Sequence, residues 1–263
     1  MSWVSLTGRD AQLEALDFGG TGPGALLLHG LAGTAREWED TAAWLTQTHR
    51  VVALDQRGHG RSERRPADVS RDAFVGDAVA AIEQLGLAPV VLIGQSLGGH
   101  TAFLVAAKRP DLVRALVVAE ASPAEADPAA ARQVAELLSS WPVPFPTHDA
   151  ALEFFGGETL RARAWANNLR ECEGGFTRAF DVDVMAAALA AAAGSYWDEW
   201  AAVSAPCLVV RGESGELGAA EADLMAHEQP SAELTTVPGG HDVHLDAPDA
   251  WRAAVERFLG GLD

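Results

Sequence analysis

The stretch Val90-Val-Leu-Ile-Gly94-Gln95-Ser96-Leu97-Gly98-Gly99 decides how the rest of the chain is read. Four branched aliphatic residues in a row, with no polar residue between them, are what a strand buried on both faces requires. The alanine-rich run that follows, 97–108, reads as a helix. Between the two lies Gly-x-Ser-x-Gly, the pattern of a very tight strand-to-helix turn. Side chains two positions either side of the serine would clash there, so glycine fills both places. The turn exposes the hydroxyl and aims the first amides of the next helix at it. Ser96 is therefore a candidate nucleophile, and the Leu97 amide a candidate donor to a developing oxyanion.

Working outward, runs of the same kind recur at 25–28, 51–54, 116–119 and 207–210, each closed within two residues by Gly, Asp or Glu. A short strand is read at 234–237, and helical patterns fill 36–45, 70–85, 219–227 and 250–259. The alternation predicts one doubly wound α/β sheet. Residues 3–18 read instead as two antiparallel strands with a turn near 8–10. From 123 to 203 the rhythm breaks: no strand is predicted, and helical patterns at 128–139, 149–155, 158–172 and 180–192 flank a Trp141-Pro-Val-Pro-Phe145-Pro146 break. This segment reads as a helical lid, 123–203, set into a core made of 1–122 and 204–263. Its aromatics, Phe155, Trp197 and Trp200 among them, are expected mainly in the lid's own core. Trp141, Phe145, Phe154 and Trp165 are the candidates for contact with an apolar ligand.

The composition limits what such a chain can meet. Of 263 residues 48% are hydrophobic and the mean hydropathy is +0.04, enough for a large core and too much for wholesale disorder. No apolar run approaches the roughly 18 residues of a membrane span. Nineteen basic against thirty-seven acidic residues leave a formal charge of −18, which would repel nucleic acid and anionic lipid. A small molecule is the expected partner; nothing in the sequence fixes an oligomeric state. Cys172 and Cys207 fit no metal or redox spacing, and the first ten residues carry no export signal. Reduced thiols and a cytoplasmic location are expected. Gly19–Gly24 is not followed by Gly-Lys-Ser/Thr, so no phosphate loop is read, and neither a cofactor nor a metal is called for.

Two further loops carry chemistry. His29-Gly30-Leu31 directly follows the run 25–28, where the turn leaves the Leu31 amide able to point where the Leu97 amide points. The His29 ring is read as a brace for that loop. Gly239-Gly240-His241-Asp-Val-His244 follows the run 234–237, and a loop histidine here is a candidate general base. His244 competes, but only His241 directly follows the Gly-Gly turn that would swing a ring back over the sheet. The string His-x-x-His-x-Asp matches no usual zinc spacing.

Taken together, His29-Gly30, Asp55-Gln-Arg57-Gly58-His-Gly60-Arg-Ser62, Gly94–Gly98 and His241 resemble the α/β-hydrolase fold superfamily over essentially the whole chain. The resemblance implies a mostly parallel eight-stranded sheet flanked by helices, with the lid after strand six. It implies Ser96 as nucleophile, His241 as base, and the Leu31 and Leu97 amides as oxyanion hole. The 55–62 stretch resembles a bracing turn. The acid departs from the commonest pattern, since the loop after the seventh strand offers Glu213 and Glu216 where aspartate is usual. Some lactone- and amide-cleaving relatives carry their acid at the end of the sixth strand, here Glu120. A carboxylate ending a buried strand needs a partner such as His241, whereas one in a Gly-rich loop does not, so Glu120 is preferred and Glu216 is the alternative. The implied activity is cleavage of an ester, lactone or amide of a small, largely apolar molecule through an acyl-enzyme. A non-turnover receptor and a carbon–carbon hydrolase or perhydrolase on the same fold are the alternatives. Arg161, Arg163, Arg170 and Arg178 could serve an anionic substrate, or be solvated charges.

Overall fold

The computed structural model describes residues 1–127 and 129–262. Pro128, on which the predicted helix 128–139 begins, and Asp263 lie outside the described residues. The chain opens with an antiparallel pair, β1 (Ser2–Thr7) and β2 (Gln12–Gly19), as expected for 3–18. There follow β3 (Gly24–Leu28), α1 (Glu39–Leu45), β4 (Arg50–Asp55), α2 (Arg71–Leu85), β5 (Val90–Gln95), α3 (Leu97–Lys108) and β6 (Val113–Ala119). Beyond the intervening segment come β9 (Cys207–Gly212), α9 (Ala219–Glu228), β10 (Ala232–Val237), α10 (Val243–Asp246) and α11 (Pro248–Gly260). Eight strands form one sheet in the order β1-β2-β4-β3-β5-β6-β9-β10. It is parallel from β4 onward, with β1 and β2 antiparallel at one edge.

Successive strand residues point to opposite faces, and both faces are covered. Leu26, Leu28, Leu92, Val118 and Val209 pack with Ala78 and Ile82 of α2 and Phe103 and Ala106 of α3. Leu27, Ile93, Val117, Leu208 and Val210 pack on the other face with Leu45 of α1 and Trp251, Val255 and Phe258 of α11. That two-sided burial explains why the strands read as continuous apolar runs. Ser70 caps α2 by accepting from the Ala73 amide, and Gly86, with φ +62°, ends it in the left-handed conformation.

The 55–62 turn is held by buried charge. Arg57, with no exposed side-chain surface, makes paired bonds to Asp77 of 2.7 and 2.8 Å and meets Asp10 at 2.8 Å. Asp55 accepts from the Ala35 and Arg61 amides, both at 2.7 Å. Burial nevertheless pushes its carboxyl up to about 6.

Between β6 and β9 lie α4 (Ala130–Ser139), α5 (His148–Phe155), α6 (Leu160–Asn167), β7 (Arg170–Cys172), β8 (Gly175–Thr177), α7 (Val182–Ala191) and α8 (Trp197–Ala201). Two expectations are corrected here. The helix predicted over 158–172 stops at Asn167, and its last residues form one arm of a β7–β8 hairpin, which Phe145 extends through paired bonds to Phe176 of 2.8 Å each. Gly174, with φ +86°, occupies the two-residue turn, and a left-handed residue there favours a hairpin over a continuing helix. Trp200 belongs to the sheet's core rather than to this segment's own: it meets Phe103 edge-on, and its indole N–H donates to Met225 O. Among the described residues no helix is long and apolar enough to cross a membrane.

Candidate active site

Ser96 sits between β5 and α3 with φ +50° and ψ −120°, a backbone conformation that side chains other than glycine rarely adopt. Its amide donates to Ala119 O at 2.8 Å, so the turn is pinned to the neighbouring strand. The flanking glycines are set by backbone packing: a Cβ on Gly94 would lie 2.3 Å from Gly98 O, and one on Gly98 would lie 2.1 Å from Leu28 O. Leu97 opens α3, so its amide has no carbonyl one turn back to bond to.

The loop after β3 lies against this turn; a Cβ on Gly30 would meet the Gln95 side-chain oxygen at 2.2 Å and the Ser96 Cβ at 3.4 Å. His29 is fully buried beneath the loop. Its Nε2 accepts from the Gln56 amide at 3.0 Å, which leaves Nδ1 protonated to donate to Gly30 O at 2.7 Å. Burial, and then the nearby His59 ring, hold its pKa well below the usual histidine range. Leu31 and Leu97 pack into one cluster with Phe74 and Ala188, which brings their two segments together.

Glu120 follows directly on β6, with φ +50°. Its carboxylate is wholly buried and accepts four bonds. Gly212 N reaches Oε1 at 2.7 Å, while Glu216 N at 2.6 Å, Leu217 N at 3.1 Å and His241 Nδ1 at 3.2 Å reach Oε2. Burial alone would push this carboxyl up, but the bonds from His241 and the three amides outweigh it, and its pKa lies below the ordinary value. His241 is likewise disfavoured by desolvation and favoured, on balance, by the bond to Glu120 and the charges of Glu216, Asp242 and Glu120, so its pKa is raised. The Glu216 carboxylate stands 3.7 Å from the same Nδ1 but is 80% exposed. Glu216 bonds to Glu120 through its backbone amide, while its own carboxylate faces solvent. Gln95 Nε2, donating to His241 O at 2.9 Å, ties the histidine loop to the serine turn.

A cavity of about 460 Å³ opens between these groups, lined by Ser96, Leu97, His100, Glu120, Leu217 and His241, with Leu189 of α7 and Ala192 just beyond it. The exposed Glu125, Asp127 and Glu216 and the half-buried Glu221, which accepts from Ser122 Oγ, also line it. Trp141, Phe145, Phe154 and Trp165, expected to contact ligand, do not line it. Aromatic side chains pair with one another when they can. Trp141 packs edge-on against Phe155, Trp165 and Phe180, while Phe145 packs against Phe154 and Phe155. Trp165 donates its indole N–H to Asp242, and Phe154 is 47% exposed.

Near the site lie His244, the rival candidate for the base, and a buried pair, Arg71 and His100, that was not read from the sequence. His244 is buried, stacks on Trp38 and faces Glu37 at 3.4 Å rather than the serine. Arg71, at the start of α2, is buried against α3: Nε donates to His100 Nδ1 at 3.2 Å, and Nη2 to Thr101 Oγ1 at 2.5 Å and Leu97 O at 3.3 Å. Twenty-nine positions separate Arg71 from His100, and no local pattern announces the contact.

Comparison with known proteins agrees with this architecture. The family model described as alpha/beta hydrolase fold matches residues 26–248. The sn-1-specific diacylglycerol lipase ABHD11 of Mus musculus is 32% identical over 257 residues, covering 93% of this chain and 83% of that protein. An (E)-2-((N-methylformamido)methylene)succinate hydrolase of Acinetobacter baylyi is 28% identical, covering 91% of both. Among solved structures, E-2-(acetamidomethylene)succinate hydrolase superposes with a TM-score of 0.88 at 24% identity, covering 98% of this chain and all of that one. The chain therefore belongs to the α/β-hydrolase fold family, whose named relatives here are hydrolases.

Proposed function

We propose that this chain is a serine hydrolase that cleaves an ester, lactone or amide of a small, largely uncharged molecule with a Ser96–His241–Glu120 triad. The observation that carries the reading is the bond from His241 Nδ1 to the buried Glu120 carboxylate beside a cavity shared with Ser96. With Nδ1 engaged by Glu120, the imidazole keeps its Nε2 lone pair for the serine proton. Ser96 Oγ attacks the carbonyl as His241 takes that proton, and the oxyanion is met by the Leu31 and Leu97 amides. His241 returns the proton to the leaving group and then activates the water that clears the acyl-enzyme. Glu120 stays ionised, fixes the ring tautomer and stabilises the imidazolium. Glu216, exposed and farther from the ring, is not the acid in this reading.

Substrate character is supported by the lining. Leu97, Ala121, Leu189 and Ala192 are apolar, and Glu125, Asp127, Glu216 and Glu221 add only carboxylates. Residues 123–203 act as the lid, contributing the wall around Leu189. The relatives' names span a lipid and amidomethylene succinates, so they do not narrow the bond type. Intact-mass labelling with a fluorophosphonate tests the reading. One adduct is expected on wild type and none on Ser96→Ala; an unlabelled wild type at pH 8 overturns the activated serine and moves a ligand-binding role ahead.

A further inference from the structure

His100 and Arg71 are two buried groups that the proposed reaction leaves unused. His100 lies one helical turn after Ser96 on α3, its amide bonding to Ser96 O at 2.9 Å, about 6 Å farther along the helix axis. The residue lines the cavity and is 6% exposed, its ring packed edge-on to Tyr196 and tilted against Phe103.

Arg71 decides which form this ring takes. A guanidinium has donors only, so its Nε–H bond to Nδ1 requires a lone pair on Nδ1. The ring must then be neutral and carry its proton on Nε2. Burial, with the adjacent Arg71 charge, lowers the His100 pKa well below the usual range, in keeping with this. Nε2–H has no partner among the described residues. A buried donor left unpaired is costly, and native structures seldom keep one without use for it. Arg71 is itself buried, and among the described residues it has no carboxylate partner; it contacts His100, Thr101, the Leu97 carbonyl and the face of Phe74, and its Nη1 is also unpaired there. Its positive charge stands at Nδ1 and polarises the opposite N–H bond of the ring, at Nε2.

We propose that His100, held in its Nε2–H tautomer by Arg71, is a specificity-determining residue that donates a hydrogen bond to an uncharged oxygen on the acyl part of the substrate, three to five bonds from the carbonyl that Ser96 attacks. The preferred substrate class is therefore an oxo- or alkoxy-substituted acyl ester, lactone or amide rather than a plain alkyl one. An uncharged oxygen is preferred to a carboxylate because Glu125, Asp127, Glu216 and Glu221 line the cavity, where an anion would be repelled. Arg71 acts through His100 and is a positioning residue. The inference rests on Ser96 being the nucleophile of this cavity.

The test compares kcat/KM for p-nitrophenyl 4-oxopentanoate, p-nitrophenyl pentanoate and mono-p-nitrophenyl succinate, each corrected for uncatalysed hydrolysis. Wild type should favour the oxo ester over the pentanoate by about tenfold or more, because the plain chain leaves the donor unpaired. In His100→Leu that ratio should fall to near one, and in His100→Gln, which keeps an N–H donor, it should stay above the leucine variant's. Reading a ratio within each enzyme cancels any general loss of activity. Should His100→Leu fail to fold, wild type alone decides: 4-oxopentanoate should inhibit competitively at about a tenth of the pentanoate concentration. A wild-type ratio near one, an unchanged ratio in His100→Leu, or the succinate ester as the best substrate overturns the inference while leaving the hydrolase reading intact. No turnover of any ester and no fluorophosphonate adduct overturns both.

Discussion

His241 Nδ1 stands 3.2 Å from the buried Oε2 of Glu120, and that same oxygen is met by the amides of Glu216 and Leu217. One carboxylate oxygen thus orders both the imidazole and the loop after β9. The two glutamates near the ring consequently differ in kind: Glu120 offers it a desolvated charge, Glu216 a screened one.

This difference predicts a large asymmetry between two isosteric changes. Glu120→Gln should lower kcat by about 10²–10⁴-fold, since an amide cannot hold the imidazolium and presents an N–H to one of its donors. Glu216→Gln should change kcat by less than about threefold, as expected for an exposed charge. Steady-state kinetics on the two variants settle the matter, and equal losses would refute the assignment.

The pH profile should carry the same signature. Because the net effect of Glu120, Glu216 and Asp242 is to raise the His241 pKa, kcat/KM should rise with pH through a midpoint above the ordinary histidine value of about 6.5. In Glu120→Gln the midpoint should move down. The stability contribution runs differently. A raised histidine pKa stabilises below about 6.5 and is lost as pH rises through the folded value, whereas a lowered carboxyl pKa stabilises above about 4.3 and is lost as pH falls through the folded value. The pair should therefore add most to Tm between about pH 4.3 and 6.5, where the base is protonated and turnover low. A Tm difference between wild type and Glu120→Gln that peaks above pH 8 would contradict this.

Gly215 offers a test that leaves every ionisable group in place. A Cβ there would lie 2.3 Å from both Glu120 carboxylate oxygens, so Gly215→Ala should push the carboxylate off His241. We expect kcat to fall by about 10²-fold with the far-ultraviolet circular dichroism unchanged; wild-type kcat in a folded variant would show that the acid does not need this position.

Arg57→Leu addresses the fold rather than the chemistry. It leaves Asp77 buried without its partner, and removal of one member of such a pair costs about 3–5 kcal/mol. Urea unfolding should show a loss of that order, and a loss below about 1 kcal/mol would mean that Asp77 is relieved in another way.

What was legible in the sequence follows from where each constraint lies. The Ser96 turn could be read because its demands are local: Gly94 and Gly98 are needed by backbone atoms within or beside the motif. The sheet could be read because both its faces are covered, which turns each central strand into an unbroken apolar run. The preference for Glu120 came from desolvation, an argument that needs only its place at the end of a buried strand. The ligand-contacting aromatics could not be read in this way. Trp141, Phe145, Phe154 and Trp165 are as apolar as any pocket wall, and only their partners, distant in sequence, show that they pack on one another. The β7–β8 hairpin did leave a signal in Gly174-Gly175, which the helical pattern before it obscured. Arg71 and His100 left none, because each is unremarkable in its own helix.

The frame of the site has a mechanical consequence. Ser96 and Glu120 each follow directly on one of two neighbouring central strands, β5 and β6, and the bond from the Ser96 amide to Ala119 O extends their ladder. The proposed nucleophile and the carboxylate therefore share one paired frame, while the imidazole sits on a separate loop after Gly239-Gly240 that Gln95 ties to the serine turn. The spacing of the first two is set by the pairing of those strands. Alignment of the imidazole with them depends on the bonds from Gln95 to His241 O and from His241 Nδ1 to Glu120.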